Sequence, residues 1–131
     1  MAGPKSGDAV PELRVLPDRF LPHRYAGASG DFNPIHVDPA SAKALGQPSN
    51  ILHGLYMMTV MARAVAEVGD GDPRRLKRLA VEFKAPGFPE KELSVQGRVR
   101  EVEDGVAQVE AKLVQDGGDV VEGKAEVSAK G

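Results

Sequence analysis

The chain contains no cysteine in its 131 residues. Disulfides, thiol nucleophiles and thiolate metal sites are therefore excluded, and the absence fits a reducing compartment. Strong charge of either sign is also lacking. The formal net charge is −2, so no global field favours nucleic acid or an anionic membrane as a partner. The opening residues, MAGPKSGDAVPEL, hold no apolar core of signal-peptide length, and a cytoplasmic protein is expected. There is no internal repeat, no low-complexity segment, no glycine-rich phosphate loop and no H-E-x-x-H spacing. Ser29 and Ser49 lack the context of a nucleophile elbow.

What is present suits one soluble globular domain, with 41% apolar and 27% charged residues and enough length to bury a core. Residues 1–10 offer little to bury and read as a flexible tail, leaving 11–131 as the domain. Glu12 to Leu16 is expected to be a short strand that Pro17 ends. A short helix is expected from Pro22 to Ala28, stopping before Gly30. Gly30-Asp31-Phe32-Asn33-Pro34 reads as a turn, because a residue before proline is pushed out of the helical region. A second short helix follows, capped by Asp38, with Pro39 in its first turn and Gly46 at its exit. Ile51 to Val68 is the longest apolar run and reads as a helix buried on all sides. His53, Arg63 and Glu67 argue against its crossing a membrane.

The second half changes period. Leu79, Val81 and Phe83, then Leu93 to Val99, Ala107 to Leu113 and Val121 to Val127, alternate with polar residues. This is the pattern of an antiparallel sheet with one wet face. Asp104-Gly105 and Asp116-Gly117-Gly118 are hairpin signals between those runs. The architecture expected is α+β, a long helix wrapped by a curled sheet of about four strands. A single curled sheet leaves edges and part of the helix uncovered, so a dimer formed by edge-to-edge strand pairing is expected.

Most of the chemistry lies between Tyr25 and Gly54. Fully extended, the step from Asp31 to His36 would hold the two backbones roughly 17 Å apart. The Asn33-Pro34 turn can instead bring carboxylate and imidazole to a common point, where both could hold one water. One would accept a proton while the other donates or orients. The plain alternative is that Asp31 is a turn residue bonded to its own backbone and His36 a structural histidine. His53-Gly54 opens the long helix, where unpaired N–H groups and the helix dipole suit a developing oxyanion. The alternative for Gly54 is close packing of helix on sheet. Asp31, His36, Asp38 and His53 also offer metal donors, but without strict metal spacing, and no metal is assigned. Arg74, Arg75, Lys77 and Arg78 form a basic cluster that could meet coenzyme phosphates or an acidic carrier protein, or could be a solvated strand entry. Met57, Met58 and Met61 are read as core filling before acyl-pocket lining.

The stretch YAGASGDFNPIHVD followed by ILHG resembles the MaoC-like dehydratases, which include the (R)-specific enoyl-CoA hydratases. The likeness is dense from Tyr25 to Gly54 and looser over the following helix and sheet. It implies a hotdog fold, paired as a homodimer or as a heterodimer with a related chain. It implies catalytic roles for Asp31 and His36, contact of the Gly54 N–H with a thioester oxygen, and site-shaping roles for Asn33 and His53. The implied activity is reversible hydration of trans-2-enoyl thioesters, carried on CoA or an acyl carrier, with no cofactor. The alternatives are a hotdog thioesterase, or a subunit or acyl-binding module of a two-chain dehydratase. Some relatives carry a helix serine near the site; here position 62 is Ala62, with Thr59 one turn earlier.

Overall fold

The computed structural model describes residues 3–129. Five strands form one antiparallel sheet in the order β1-β3-β4-β5-β2, with β1 Ala9–Val15, β2 Leu76–Phe83, β3 Leu93–Glu103, β4 Val106–Gln115 and β5 Gly118–Ser128. The α-helices among the described residues are α1 Leu21–Ser29, α2 Pro34–Val37, α3 Pro39–Ala44 and α4 Gly54–Ala66, with short 3-10 turns at Glu67–Gly69 and Pro73–Arg75. The sheet wraps α4, which is the hotdog architecture that the residues and the resemblance both anticipate. No helix among the described residues is long and apolar enough to cross a membrane.

The alternating runs become strands because period two puts their apolar residues on one face. Leu93, Val95, Val99, Val109, Leu113, Val121 and Val127 are all buried there. Both expected Asp-Gly turns form tight hairpins, with Asp104 and Gly105 at φ 52° and 75° and Asp116 and Gly117 at 52° and 76°. Two successive positive φ angles match the right-handed twist of the flanking strands. Across the middle of the sheet, Gly97, Ala111 and Gly123 stand directly opposite one another. That row of small residues lets α4 ride close: a Cβ on Gly123 would lie 2.8 Å from the Met61 Cε.

The structure corrects three expectations. The tail does not run free to Val10. β1 already includes Ala9 and Val10, and Gly7 donates its N–H to the Val99 carbonyl at 2.8 Å while Asp8 accepts from the Val99 N–H at 2.8 Å. The side chains of residues 5–8 are exposed, and the segment is held by its backbone and by the Ser6 hydroxyl, which donates to the Arg100 carbonyl at 2.6 Å, neither of which apolar content reveals. Met1 and Ala2 of the expected tail lie outside the described residues. Next, the long helix begins at Gly54. Ile51 and Leu52 are instead tied by backbone bonds to Ile35 and Gly87. Finally, α4 is not buried on all sides. Leu55, Thr59 and Arg63, one turn apart, are exposed, because the curled sheet covers only one side of the helix.

Candidate active site

The segment between β1 and α4 positions the candidate site residues through caps. Gly30, at φ 80°, ends α1 and turns the chain toward Asp31. Asn33 then accepts the Ile35 N–H on its side-chain oxygen at 3.1 Å, capping the short helix α2 that carries His36. Asp38 caps α3 in the same way, accepting from the Ala40 N–H at 3.2 Å and from the Ser41 hydroxyl at 2.6 Å. The Ser41 hydrogen bond holds the Asp38 carboxyl below the usual carboxylate range. Asp38 is therefore spent on structure.

Asp31 and His36 meet. One carboxylate oxygen, Oδ1, accepts the Asn33 N–H at 3.2 Å, the turn-forming bond of the plain alternative. The other, Oδ2, stands 3.7 Å from His36 Nε2. That gap is too long for a direct hydrogen bond and suits a water held by both groups. His36 Nδ1 lies 2.9 Å from the Ile51 carbonyl oxygen. A carbonyl only accepts, so Nδ1 carries a proton, and Nε2 is the ring nitrogen that faces Asp31. Asp31 therefore serves the turn with one oxygen and faces His36 with the other.

His53 braces this pair from below. It is 2% exposed. Its Nε2–H donates to the backbone carbonyl of Asp31 at 3.0 Å, and its ring stacks on His36 with centroids 4.0 Å apart. Tyr25 packs against its other side at 4.8 Å. His53 Nδ1 is buried without a hydrogen-bond partner. Donor atoms of Asp31, His36 and His53 lie within 4.8 Å of one another, close enough for a metal. His53 Nε2 and His36 Nδ1 are committed to carbonyls and Asp38 to its cap, which leaves Asp31 Oδ2, His36 Nε2 and His53 Nδ1 as the remaining donor atoms.

Gly54 is the first residue of α4, with no side-chain cap at that end, so the unpaired N–H groups of the first turn remain. A Cβ at Gly54 would lie 3.1 Å from Phe83 Cζ. Close packing thus accounts for a glycine there as well, with the ring supplied by the end of β2. Thr59 donates its hydroxyl to the Leu55 carbonyl at 2.9 Å and lies on the exposed face of α4 with Leu55 and Arg63. In the basic cluster, Arg74 is held by Asp72 and Arg75 by Asp70, which favours the structural reading for those two.

Two residues escaped the sequence reading. Asn50, 6% exposed, donates its side-chain amide to the His36 carbonyl at 2.8 Å. Phe83, 51% exposed, walls Gly54. A polar residue just before an apolar run was the available signal for Asn50; nothing local signals Phe83. The site itself is open, with 52% of the Asp31 side chain exposed. Two cavities of about 940 and 530 Å³ lie over the outer sheet face and between β1 and α4, and neither touches Asp31, His36 or Gly54.

Residues 8–121 match the family model described as MaoC like domain. Over 96 residues the chain is 41% identical to 3-hydroxyacyl-thioester dehydratase Y of Mycobacterium tuberculosis, covering 71% of this chain and 33% of that protein. Over 81 residues it is 40% identical to enoyl-CoA hydratase 2, peroxisomal, of Arabidopsis thaliana, covering 61% of this chain and 25% of that protein. It spans no more than about a third of the curated relatives it matches. Among solved structures, the ChsH1-ChsH2 complex from Mycobacterium tuberculosis holds a chain that superposes with a TM-score of 0.86 at 25% identity, over 95% of this chain and 98% of that one. The (R)-hydratase from A. caviae shares the fold at a TM-score of 0.85 and 23% identity, over 95% and 96%.

Proposed function

The chain belongs to the MaoC-like dehydratase family, and from that premise we propose that it hydrates trans-2-enoyl thioesters reversibly to (R)-3-hydroxyacyl thioesters. The observation that carries this reading is the 3.7 Å approach of Asp31 Oδ2 to His36 Nε2, with the tautomer of His36 set by Ile51. A water held between them loses a proton to one of the pair as its oxygen bonds to C3 of the enoyl group. The C2–C3 π electrons move toward the thioester, whose oxygen gains negative charge. The Gly54 N–H and the positive end of α4 stabilise that oxygen, and a proton delivered to C2 completes the addition. In reverse the same groups expel water from a 3-hydroxyacyl thioester. Asn33 and His53 hold Asp31 and His36 in place. The thioester is its own electron sink, so the reaction asks for no cofactor.

The acyl group arrives on CoA or an acyl carrier, in a cytoplasmic setting. The exposure of Asp31 leaves the substrate short of walls within one chain, which favours work as a homodimer, or with a related chain. Purified alone, the protein should bleach the ultraviolet absorbance of the conjugated thioester in crotonyl-CoA and yield 3-hydroxybutyryl-CoA. Release of free CoA without hydration would instead mark a thioesterase. Activity only on addition of a second, related chain would mark a subunit.

A further inference from the structure

Among the described residues, the buried polar side chains are Asn50, His53 and Gln115. The first two belong to the site. Gln115, 6% exposed, ends β4 and has no part in the chemistry described above. Its amide is engaged with the loop of residues 84–92, which joins β2 to β3. Oε1 accepts the Phe88 N–H at 2.8 Å, and Nε2 donates to the carbonyls of Phe88 and Lys91 at 2.8 and 3.1 Å. The opposite placement of O and N would set an oxygen against two carbonyls, so the partners fix the orientation of the amide.

These bonds continue to the site. The Phe88 N–H and the Gly87 carbonyl belong to one planar peptide group. That carbonyl accepts the Leu52 N–H at 2.8 Å. The Leu52 N–H in turn shares a peptide plane with the Ile51 carbonyl, which accepts His36 Nδ1–H at 2.9 Å. A trans peptide group points its N–H and C=O in opposite directions. Each of the two groups therefore accepts on the side of His36 and donates on the side of Gln115. Leu52 and Gly87 are both buried, so water does not compete at the link between them.

We propose that Gln115 is a positioning residue for His36 and acts through this relay of two peptide groups. Its oxygen is the terminal acceptor, and its N–H groups hold the loop that carries the relay. A buried loop needs its backbone groups paired, and a glutamine could do that and nothing more. Here the loop also gives its Gly87 carbonyl to the one peptide group that holds the imidazole. Hydrogen bonds in series polarise one another. At the near end the Ile51 carbonyl is fixed in direction and enriched in negative charge. It holds a proton on His36 Nδ1 and aims Nε2 at Asp31 Oδ2, 3.7 Å away. Gln115 touches no reacting atom in this account.

Gln115→Met keeps the length of the side chain and removes the amide. Its effect on rate rests on the hydration assigned above; its effect on the imidazole does not. In spectra of protein labelled with 15N-histidine, in alkaline buffer, the His36 Hδ1 signal of Q115M moves upfield, and the two ring nitrogens shift toward each other as the tautomers mix. With crotonyl-CoA, kcat falls about tenfold while KM stays within about twofold. Leu113→Ala, on the same strand but outside the relay, lowers stability and leaves the His36 signals and kcat as they are. If Q115M loses its fold by circular dichroism, Gln115→Asn carries the test. It keeps an amide, one methylene short of Phe88, and must move the same signals in the same direction. Unaltered His36 signals in the folded variant, unaltered kcat in a protein that hydrates crotonyl-CoA, or the same changes in Leu113→Ala would each overturn the proposal. A protein that hydrates no enoyl thioester refutes the reaction instead, and the imidazole signals then decide the relay.

Discussion

The segment from Pro17 to His53 and the unit formed by the sheet and α4 are held by different forces. The sheet unit is a packed apolar core, and of the fully buried residues in that core only Leu52 comes from the segment. The segment is held instead by caps and single polar bonds: Asn33 to Ile35, Asp38 to Ala40 and Ser41, His53 to Asp31, and Asn50 to His36. Burial is tolerant of detail and sets the stability of the whole. Directional bonds fix angles and distances, which reacting groups need. The division of labour follows: the core supplies stability, and the segment supplies geometry.

The contrast can be broken first from the side of the core. Leu113 is fully buried on β4, and Leu113→Ala should cost about 2–5 kcal/mol of unfolding free energy, measured by denaturant titration. The folded fraction should keep its activity. From the side of the segment, Asn50→Ala removes the bond to the His36 carbonyl. It should lower kcat about tenfold with KM little changed, while stability falls by only about 1 kcal/mol. A change in KM with kcat intact would place Asn50 in binding rather than in positioning.

Two smaller effects sharpen the comparison. Asp38→Ala should lower the melting temperature at neutral pH. The Asp38 carboxyl is held below its ordinary range by Ser41, so its contribution is present above the unfolded-state value near about pH 4. It is lost as pH falls through the folded value, and the gap between variant and original should close in acid. Glu90 sits at φ 67°, and its N–H joins the Pro17 carbonyl at 2.6 Å, at the seam of the two regions. Glu90→Gly relieves the left-handed backbone and should stabilise the protein by about 0.5 kcal/mol after the entropy cost of glycine, leaving turnover unchanged.

The sheet unit was legible because its forces are periodic. Alternation exposed the strands from Leu79 to Val127, and the Asp-Gly pairs exposed both turns. The segment was legible only where its bonds are local, as at Asn33, Asp38 and Gly30. The contacts that aim the site join residues far apart in sequence: Ile51 to His36, His53 to Asp31, and Phe83 to Gly54. Side-chain spacing carries no information about which loop carbonyl an imidazole will find. The same holds for residues 5–8, bound to β3 mainly through backbone atoms that every residue shares, with one side-chain bond from Ser6. The Asn33-Pro34 turn pointed to Asp31 and His36 as partners, and the resemblance named an enoyl thioester as their substrate.

The most direct measurement is steady-state hydration of crotonyl-CoA by Asp31→Asn and His36→Gln, with the melting curve of each variant recorded alongside. If the pair activates water, each substitution lowers kcat by about 10²- to 10⁴-fold while the melting temperature stays close to that of the original. Near-normal turnover in either folded variant, or loss of the fold in both, would contradict the assignment and return Asp31 and His36 to the status of a turn residue and its neighbour.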